Sequence, residues 1–267
     1  VTLPNSQSAP APAHILLYST TAAMTAELVR VAEAVGHRRP LRVTLATSFH
    51  KVPAGRYPFI PPGDRIAVPE KWPAHPEALP AAVVARARAL LAELEQDVRR
   101  NGAEDAAWER TKADLPADLA DLHIIDAAMT ALIDQRRPDA VIVGEDFHLG
   151  EELSLVAAAH RRTIPVICYA YGIPPLPLIA HYFTHAAPDP LVHQVAEGFM
   201  AAFADGRPDW TVRAAGLAVL PSRPSTVLAA EALGVVPEIP WRMGGGPSDV
   251  LVVQSEAAGA FLGREGA

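Results

Sequence analysis

Proton-transfer chemistry concentrates at Glu145, Asp146 and His148, within the stretch PDAVIVGEDFHLG. Two carboxylates and an imidazole on one short segment can take a proton from a hydroxyl or deliver one. An acid beside a histidine also tunes its charge near neutral pH. The plainer reading has Asp146 or His148 capping the helix that follows, with the rest solvated. The spacing fits no standard zinc pattern and no thiolate lies near, so no metal is expected. Glu151 and Glu152 fall in the first turn of that helix, where they complement its positive end. Their charge argues against a phosphate docking there.

Other groups join this set by position. Ser19, Thr20 and Thr21 open a helix with no acid before Glu27. Free backbone N–H groups and hydroxyls there could hold an anion or a sugar hydroxyl, or Ser and Thr could simply cap the helix. His50, just past a second apolar run, could act as a base or a sugar contact, or lie on the surface. Tyr171 and Gly172 follow a further apolar run and are candidate substrate contacts. Ser255 and Glu256 read as an ordinary helix start. Gly244, Gly245 and Gly246 give backbone freedom that suits a close ligand or a plain turn. There is no Gly-x-Gly-x-x-Gly, no P-loop and no Gly-x-Ser-x-Gly elbow, which argues against the usual dinucleotide, nucleotide and Ser-hydrolase sites.

The elements that must position these residues are legible in outline. Residues 139–143 and 163–169 are short apolar runs, joined by helical spacing over 149–162 with Leu153, Val156, Ala157 and His160 on one side. That is a βαβ unit, whose parallel strands are buried on both faces. The chain opens the same way, with strands at 14–19 and 41–47 around a helix. In open parallel sheets ligands collect at the carboxyl ends of the strands, which is where the candidates fall. Further helices are expected over 81–100, 116–136, 188–204 and 222–234, and over 255–263 after a last strand at 249–253. Residues 51–80 are proline-rich and read as an extended excursion, anchored by Tyr57 and Trp72. Residues 1–13 read as a flexible tail, leaving 14–267 as one α/β domain with at least five parallel strands.

Composition narrows the function classes. A net charge of −7 argues against a general nucleic-acid binder. Half the residues are hydrophobic and a fifth are charged, as in a soluble globular protein. The single cysteine, Cys168, cannot form an internal disulfide and sits in an apolar run as a small core residue. No apolar run approaches a membrane span, and the N-terminus does not read as a signal peptide. A cytoplasmic setting is expected. Val1 fits a bacterial alternative start codon or a processed end.

Three stretches resemble the N-terminal half of a GT-B type glycosyltransferase. PDAVIVGEDFHLGEELSLVAAAHRRTIPVICYAYG is similar to the family's strand–helix–strand, with Tyr171-Gly172 where His-Gly often stands. SDVLVVQSEAAGAFLGREG is similar to a later strand ending in Ser-Glu, followed by a helix and Gly. The first strand and residues 19–21 match in place only, since the family's glycines are missing. The resemblance implies a Rossmann-like parallel sheet with helices on both faces, serving as the acceptor-side domain. It implies a nucleotide sugar as donor substrate, no separate cofactor, a glycan or lipid-linked acceptor, and a C-terminal donor-binding domain beyond this stretch. Glu145, Asp146, His148 or His50 would be the base that deprotonates the acceptor hydroxyl. Ser19, Thr20, Thr21, Tyr171 and Gly172 would contact substrate. A nucleotide-sugar epimerase of the same architecture and a non-catalytic glycan- or partner-binding module are the rival expectations.

Overall fold

The computed structural model describes residues 11–48, 57–69, 78–147, 149–170, 193–195, 197–214, 217–240 and 244–264. Among these, six strands form one parallel sheet in the order β3-β2-β1-β4-β5-β6. They are β1 (Ala13–Ser19), β2 (Leu41–Thr47), β3 (Arg65–Ala67), β4 (Ala140–Val143), β5 (Val166–Tyr169) and, here numbered within the sheet, β6 (Val250–Val252). The central strand β1 pairs with β2 on one side and β4 on the other, with Leu17 opposite both Leu45 and Ile142.

Alternation along the strands divides the core. Leu16, Tyr18, Ala46, Val141 and Val143 point to one face. Leu17, Val43 and Leu45 point to the other. Helix α1 (Ala22–Gly36) covers the second face with Met24, Leu28, Val29 and Ala32. The first face is covered by α4 (Glu151–His160) and by the C-terminal half of α3 (Ala106–Arg136), with α2 (Ala81–Arg100) preceding them in the chain. Both faces are thus dry, and each fully buried Leu contributes about 1.5–3 kcal/mol. The architecture is α/β, a Rossmann-like parallel sheet flanked by helices on both sides.

A separate apolar cluster joins α2, the N-terminal half of α3, α5 (Gly198–Asp205) and α6 (Pro224–Leu233). Trp108, Phe199 and Phe203 stack within it at ring distances of 5.4 and 5.7 Å. A three-stranded antiparallel sheet adjoins, built from β7 (His193–Gln194), β8 (Val212–Ala214) and β9 (Leu217–Leu220), with β9 central. The last helix, α7 (Glu256–Arg264), follows β6.

Several expectations are corrected here. The helix expected at 116–136 begins ten residues earlier. Asp105 caps it, and Pro116 lies inside it. A proline suits a first helical turn, but the buried stripe of Trp108, Leu115 and Leu119 carries the helix through it. Of the helix expected over 188–204, the described residues form an antiparallel strand at His193–Gln194 and a helix at Gly198–Asp205. Strand β3 lies within the proline-rich excursion and forms a sheet edge, where proline-rich flanks are tolerated. The helix expected over 149–162 carries no single buried stripe. Glu152 to Val156, Ala158 and Ala159 are all buried, because α4 is pressed between the sheet and α3. The tail through residue 10, Trp72 and residues 191–192 lie outside the described residues.

The amino ends of the strands are tied by polar contacts. The His14 backbone N–H donates to Asp139 at 2.8 Å, and its Nε2 lies 2.9 Å from the Thr44 hydroxyl. Asp64 accepts from Arg42 at 2.9 Å and from Arg136 at 3.3 Å. Asp249 accepts from the Val166 N–H at 2.7 Å. These contacts fix strand starts in register and leave the opposite edge to carry a site.

Candidate active site

Strand order fixes where a ligand would sit. From β1 the chain builds outward through β2 and β3, then returns to β4 on the other side of β1 and builds outward again. The loops after β1 and β4 therefore diverge, and such a switch point opens a crevice at the carboxyl ends of the strands. A cleft of about 290 Å³ lies there, lined by Thr20 after β1, by Leu149, Gly150, Glu151 and Glu152 after β4, and by Ile125 of α3.

The backbone of the β4–α4 loop shapes this cleft. Gly150 occupies the N-cap position of α4 with φ 140° and ψ −137°, a conformation closed to residues with a Cβ. It provides no side-chain cap for the first turn of α4.

Glu151 is half-buried, and the fully buried Tyr18 hydroxyl donates to its Oε2 at 2.7 Å. Burial first, then the adjacent Glu151 charge, hold the Tyr18 phenol well above its ordinary range. Glu152 is buried at 3% exposure, and its Oε1 has no hydrogen-bond partner. Burial first, then the charges of Glu145, Glu151 and Asp146, raise its carboxyl well above the usual carboxylate range. Burial and the neighbouring acids thus bias Glu152 at the cleft toward its protonated form, able to give a proton or, once ionised, to take one. The neighbouring Ser154 hydroxyl is likewise buried without a partner.

Asp146 is also buried, but it faces another way. Its Oδ1 accepts from the Gly244 N–H at 3.1 Å, binding the loop before β6 to the end of β4. Gly246 packs so closely on it that a Cβ there would lie 1.7 Å from the Asp146 carbonyl oxygen. The backbone freedom at 244–246 thus serves a close approach of two loops. Glu145 is half-buried and acts on Glu152 through its charge.

The other sequence candidates are placed as follows. Ser19 is buried, its hydroxyl donating to the Thr21 carbonyl at 3.0 Å and lying 3.1 Å from the Thr25 hydroxyl. Thr21 caps α1 by accepting from the Met24 N–H at 3.2 Å. Thr20, between them, is the one of the three on the cleft wall. The structure brings Thr20 close to the Glu151–Glu152 pair, keeps Ser19 and Thr21 in local hydrogen bonds, and ties Asp146 to the loop before β6. His50, His148, Tyr171 and Gly172 lie outside the described residues.

Sequence reasoning read Glu151 and Glu152 only as favourable charges at a helix end. A signal for Glu152 was present. It falls in register with Leu155, Val156 and Ala159, three, four and seven positions on, so an acid lies on the face that the helix buries.

Among the described residues, no group of three His, Cys, Asp or Glu side chains could hold a metal ion, and no helix is long and apolar enough to cross a membrane. No protein-family model and no curated protein matches the chain. Solved structures similar to it include a UGT2 of Phytolacca americana, complexed with UDP-2-fluoro-glucose and pterostilbene. That match has 12% identity and a TM-score of 0.37, covering 93% of this chain and 49% of that one. The glycotransferase of kitacinnamycin matches at 17% identity and TM-score 0.31, over 66% of this chain and 37% of that one. A UDP-glucosyltransferase from Polygonum tinctorium matches at 13% and 0.29, over 67% and 32%. The chain spans about half or less of the length of these proteins. At such identities and scores the likeness carries no argument for activity.

Proposed function

We propose that this chain is the acceptor-side part of a glycosyltransferase of the GT-B type, which moves a sugar from a nucleotide sugar onto a hydroxyl-bearing acceptor. One observation carries the reading. The cleft at the β1/β4 switch point combines two glutamates with an apolar wall of Leu149 and Ile125. Two acids at the N-terminus of α4 repel a phosphate, which a free helix end would otherwise attract. The cleft suits the sugar or aglycone hydroxyl of an acceptor better than the diphosphate of a donor. The sequence resemblance to an N-terminal GT-B half agrees with this.

In this reading the acceptor hydroxyl enters beside Thr20, with its apolar part against Leu149 and Ile125. A carboxylate at the cleft takes the hydroxyl proton as the oxygen attacks the sugar carbon and the nucleoside diphosphate leaves. Glu151 is the group we assign to that step, because its position is fixed by Tyr18. Glu145, Asp146, His148 and His50 remain candidates for the same task. A donor-binding domain, in the same or another chain, would supply the second wall.

The test uses the natural full-length protein with UDP- and dTDP-sugars and a panel of phenolic, glycan and lipid-linked acceptors, with glycosides read by mass spectrometry. Glycoside formation is expected, with at least a tenfold loss in the variant Leu149→Trp, which fills the cleft. Absence of product from every pair, or full turnover by the filled variant, would overturn the reading.

A further inference from the structure

The unpartnered oxygen of Glu152 specifies more than a hydroxyl. Three further acids act on it through charge: Glu145 and Asp146 on the β4–α4 loop and Glu151 beside it on α4. The positive end of α4 offsets only part of this, since a helix terminus carries roughly half a unit charge. A neutral ligand would leave that oxygen, once ionised, without a charged partner. A phosphate or carboxylate ligand would be repelled. A compact inorganic cation would lose its water shell without a set of ligands to replace it, since no three-residue metal group is present among the described residues.

We propose that the cleft at Thr20, Leu149, Gly150, Glu151 and Glu152 binds a ligand bearing a protonated primary amine, of the amino-sugar or amino-alcohol class, with the ammonium paired to Glu152. An ammonium has three donors and no acceptor, which matches an acidic cleft with an unused acceptor. Leu149 and Ile125 flank the carbon skeleton, and Thr20 can meet a hydroxyl. The inference rests on reading this cleft as the acceptor side and names the chemical class of acceptor.

The probes are glucosamine, N-acetylglucosamine and glucose, which differ at one position as ammonium, neutral amide and hydroxyl. Saturation-transfer NMR and calorimetry on the full chain, without donor, measure binding directly. Glucosamine is expected to bind at least tenfold more tightly than either neutral sugar. The preference is expected to vanish in Glu152→Gln, with an unfolding midpoint no lower than that of the parent, and to weaken in Glu151→Gln. Equal binding of the three sugars, no saturable binding of glucosamine at tens of millimolar, or a preference that survives Glu152→Gln would overturn the proposal. So would displacement of glucosamine by millimolar Mg²⁺, which would make the site one for inorganic cations. Because no donor is present, amine binding without glycoside formation would leave this inference standing while removing the transferase reading. Transfer to neutral acceptors alone would do the reverse.

Discussion

The hydroxyl of Tyr18, at the end of the central strand, donates to Glu151 at the start of α4 across the β1/β4 switch point. A second such pair lies on the opposite face, where the Tyr169 hydroxyl at the end of β5 donates to Glu27 of α1 at 3.2 Å. The two differ in setting. Tyr18 is fully buried, whereas Tyr169 is half-buried and Glu27 also pairs with Arg30.

Removing the two hydroxyls should therefore cost different amounts. Tyr18→Phe is expected to lower stability by about 1–2 kcal/mol, the scale for a hydrogen bond to a charged group that water partly replaces. Tyr169→Phe should stay within about 0.5 kcal/mol, as for changes away from a buried network. Urea titrations of both variants check this, with the midpoint moving and the slope unchanged. Equal losses would mean that burial does not set the strength of these contacts.

The contact of Gly246 with Asp146 makes a sharper prediction. In Gly246→Ala the new Cβ would meet backbone, 1.7 Å from the Asp146 carbonyl oxygen, so one loop must move. A loss of about 1–3 kcal/mol follows, as for overpacking at a tight contact. Asp146→Asn should behave oppositely. It keeps an oxygen for the Gly244 N–H and replaces the buried, unpartnered Oδ2 with a neutral amide. Thermal unfolding of Asp146→Asn at or above the parent midpoint, with turnover retained, would make Asp146 a loop tie. Turnover abolished at unchanged stability would make it a proton-transfer group.

These contacts also show what the sequence could and could not disclose. Strands β1, β2, β4 and β5 were legible because each is an apolar run buried on both faces, and the βαβ spacing required them to be parallel. The short strands β7, β8 and β9 were hidden, because two to four residues give no alternation to detect. Pro116 imitated a helix start, since the Asp105 cap that sets the true start lies eleven residues earlier. At the site, the 145–148 segment stood out by residue type, and its place at the sheet edge followed from the βαβ unit. Strand order was not readable, so the switch point between β1 and β4 was not either. Glu152 was hidden because its charge fits a helix end equally well whether it faces water or core. Only packing against the sheet and α3 tells the two apart.

Asp105 joins two helices, and acid should release them. Its Oδ1 accepts from the N–H groups of Ala107 and Trp108 at 2.8 and 3.0 Å. Its Oδ2 accepts from Phe199 in the first turn of α5 at 2.9 Å. Burial, which opposes ionisation, is outweighed by these three donors, so the carboxyl lies below its ordinary value of 3.8. Its folded pKa is depressed, so the stability it contributes is fully present above 3.8 and is lost as pH falls through the lower folded value. Asp105→Ala should cost about 2 kcal/mol at neutral pH, at the upper end for a helix cap. Asp105→Asn should cost less and should flatten the acid limb of a stability–pH curve. The limb should not vanish, because Asp64 and Asp249 are depressed as well, chiefly by Arg42 and by the Val166 N–H. An acid limb unchanged in Asp105→Asn would locate the acid sensitivity elsewhere.

Glu152 should give the opposite slope. Its carboxyl is raised in the folded protein above the ordinary value of 4.5, so the folded state holds a proton that the unfolded chain releases. The stability linked to that proton is fully present below 4.5 and is lost as pH rises through the raised folded value. Glu152→Gln keeps the shape and removes the titration. Its unfolding midpoint should match the parent near pH 4 and exceed it by several degrees at neutral pH, where the buried carboxyl costs stability. In the parent, glucosamine should close that gap by supplying the missing positive charge, since a ligand that binds only the folded state raises its midpoint. In Glu152→Gln the same sugar should do little. Melting curves from pH 4 to 8, with and without glucosamine, read both effects at once. A variant no more stable than the parent at any pH would mean that the buried carboxyl already has its charge compensated. It would then need no ligand to complete it.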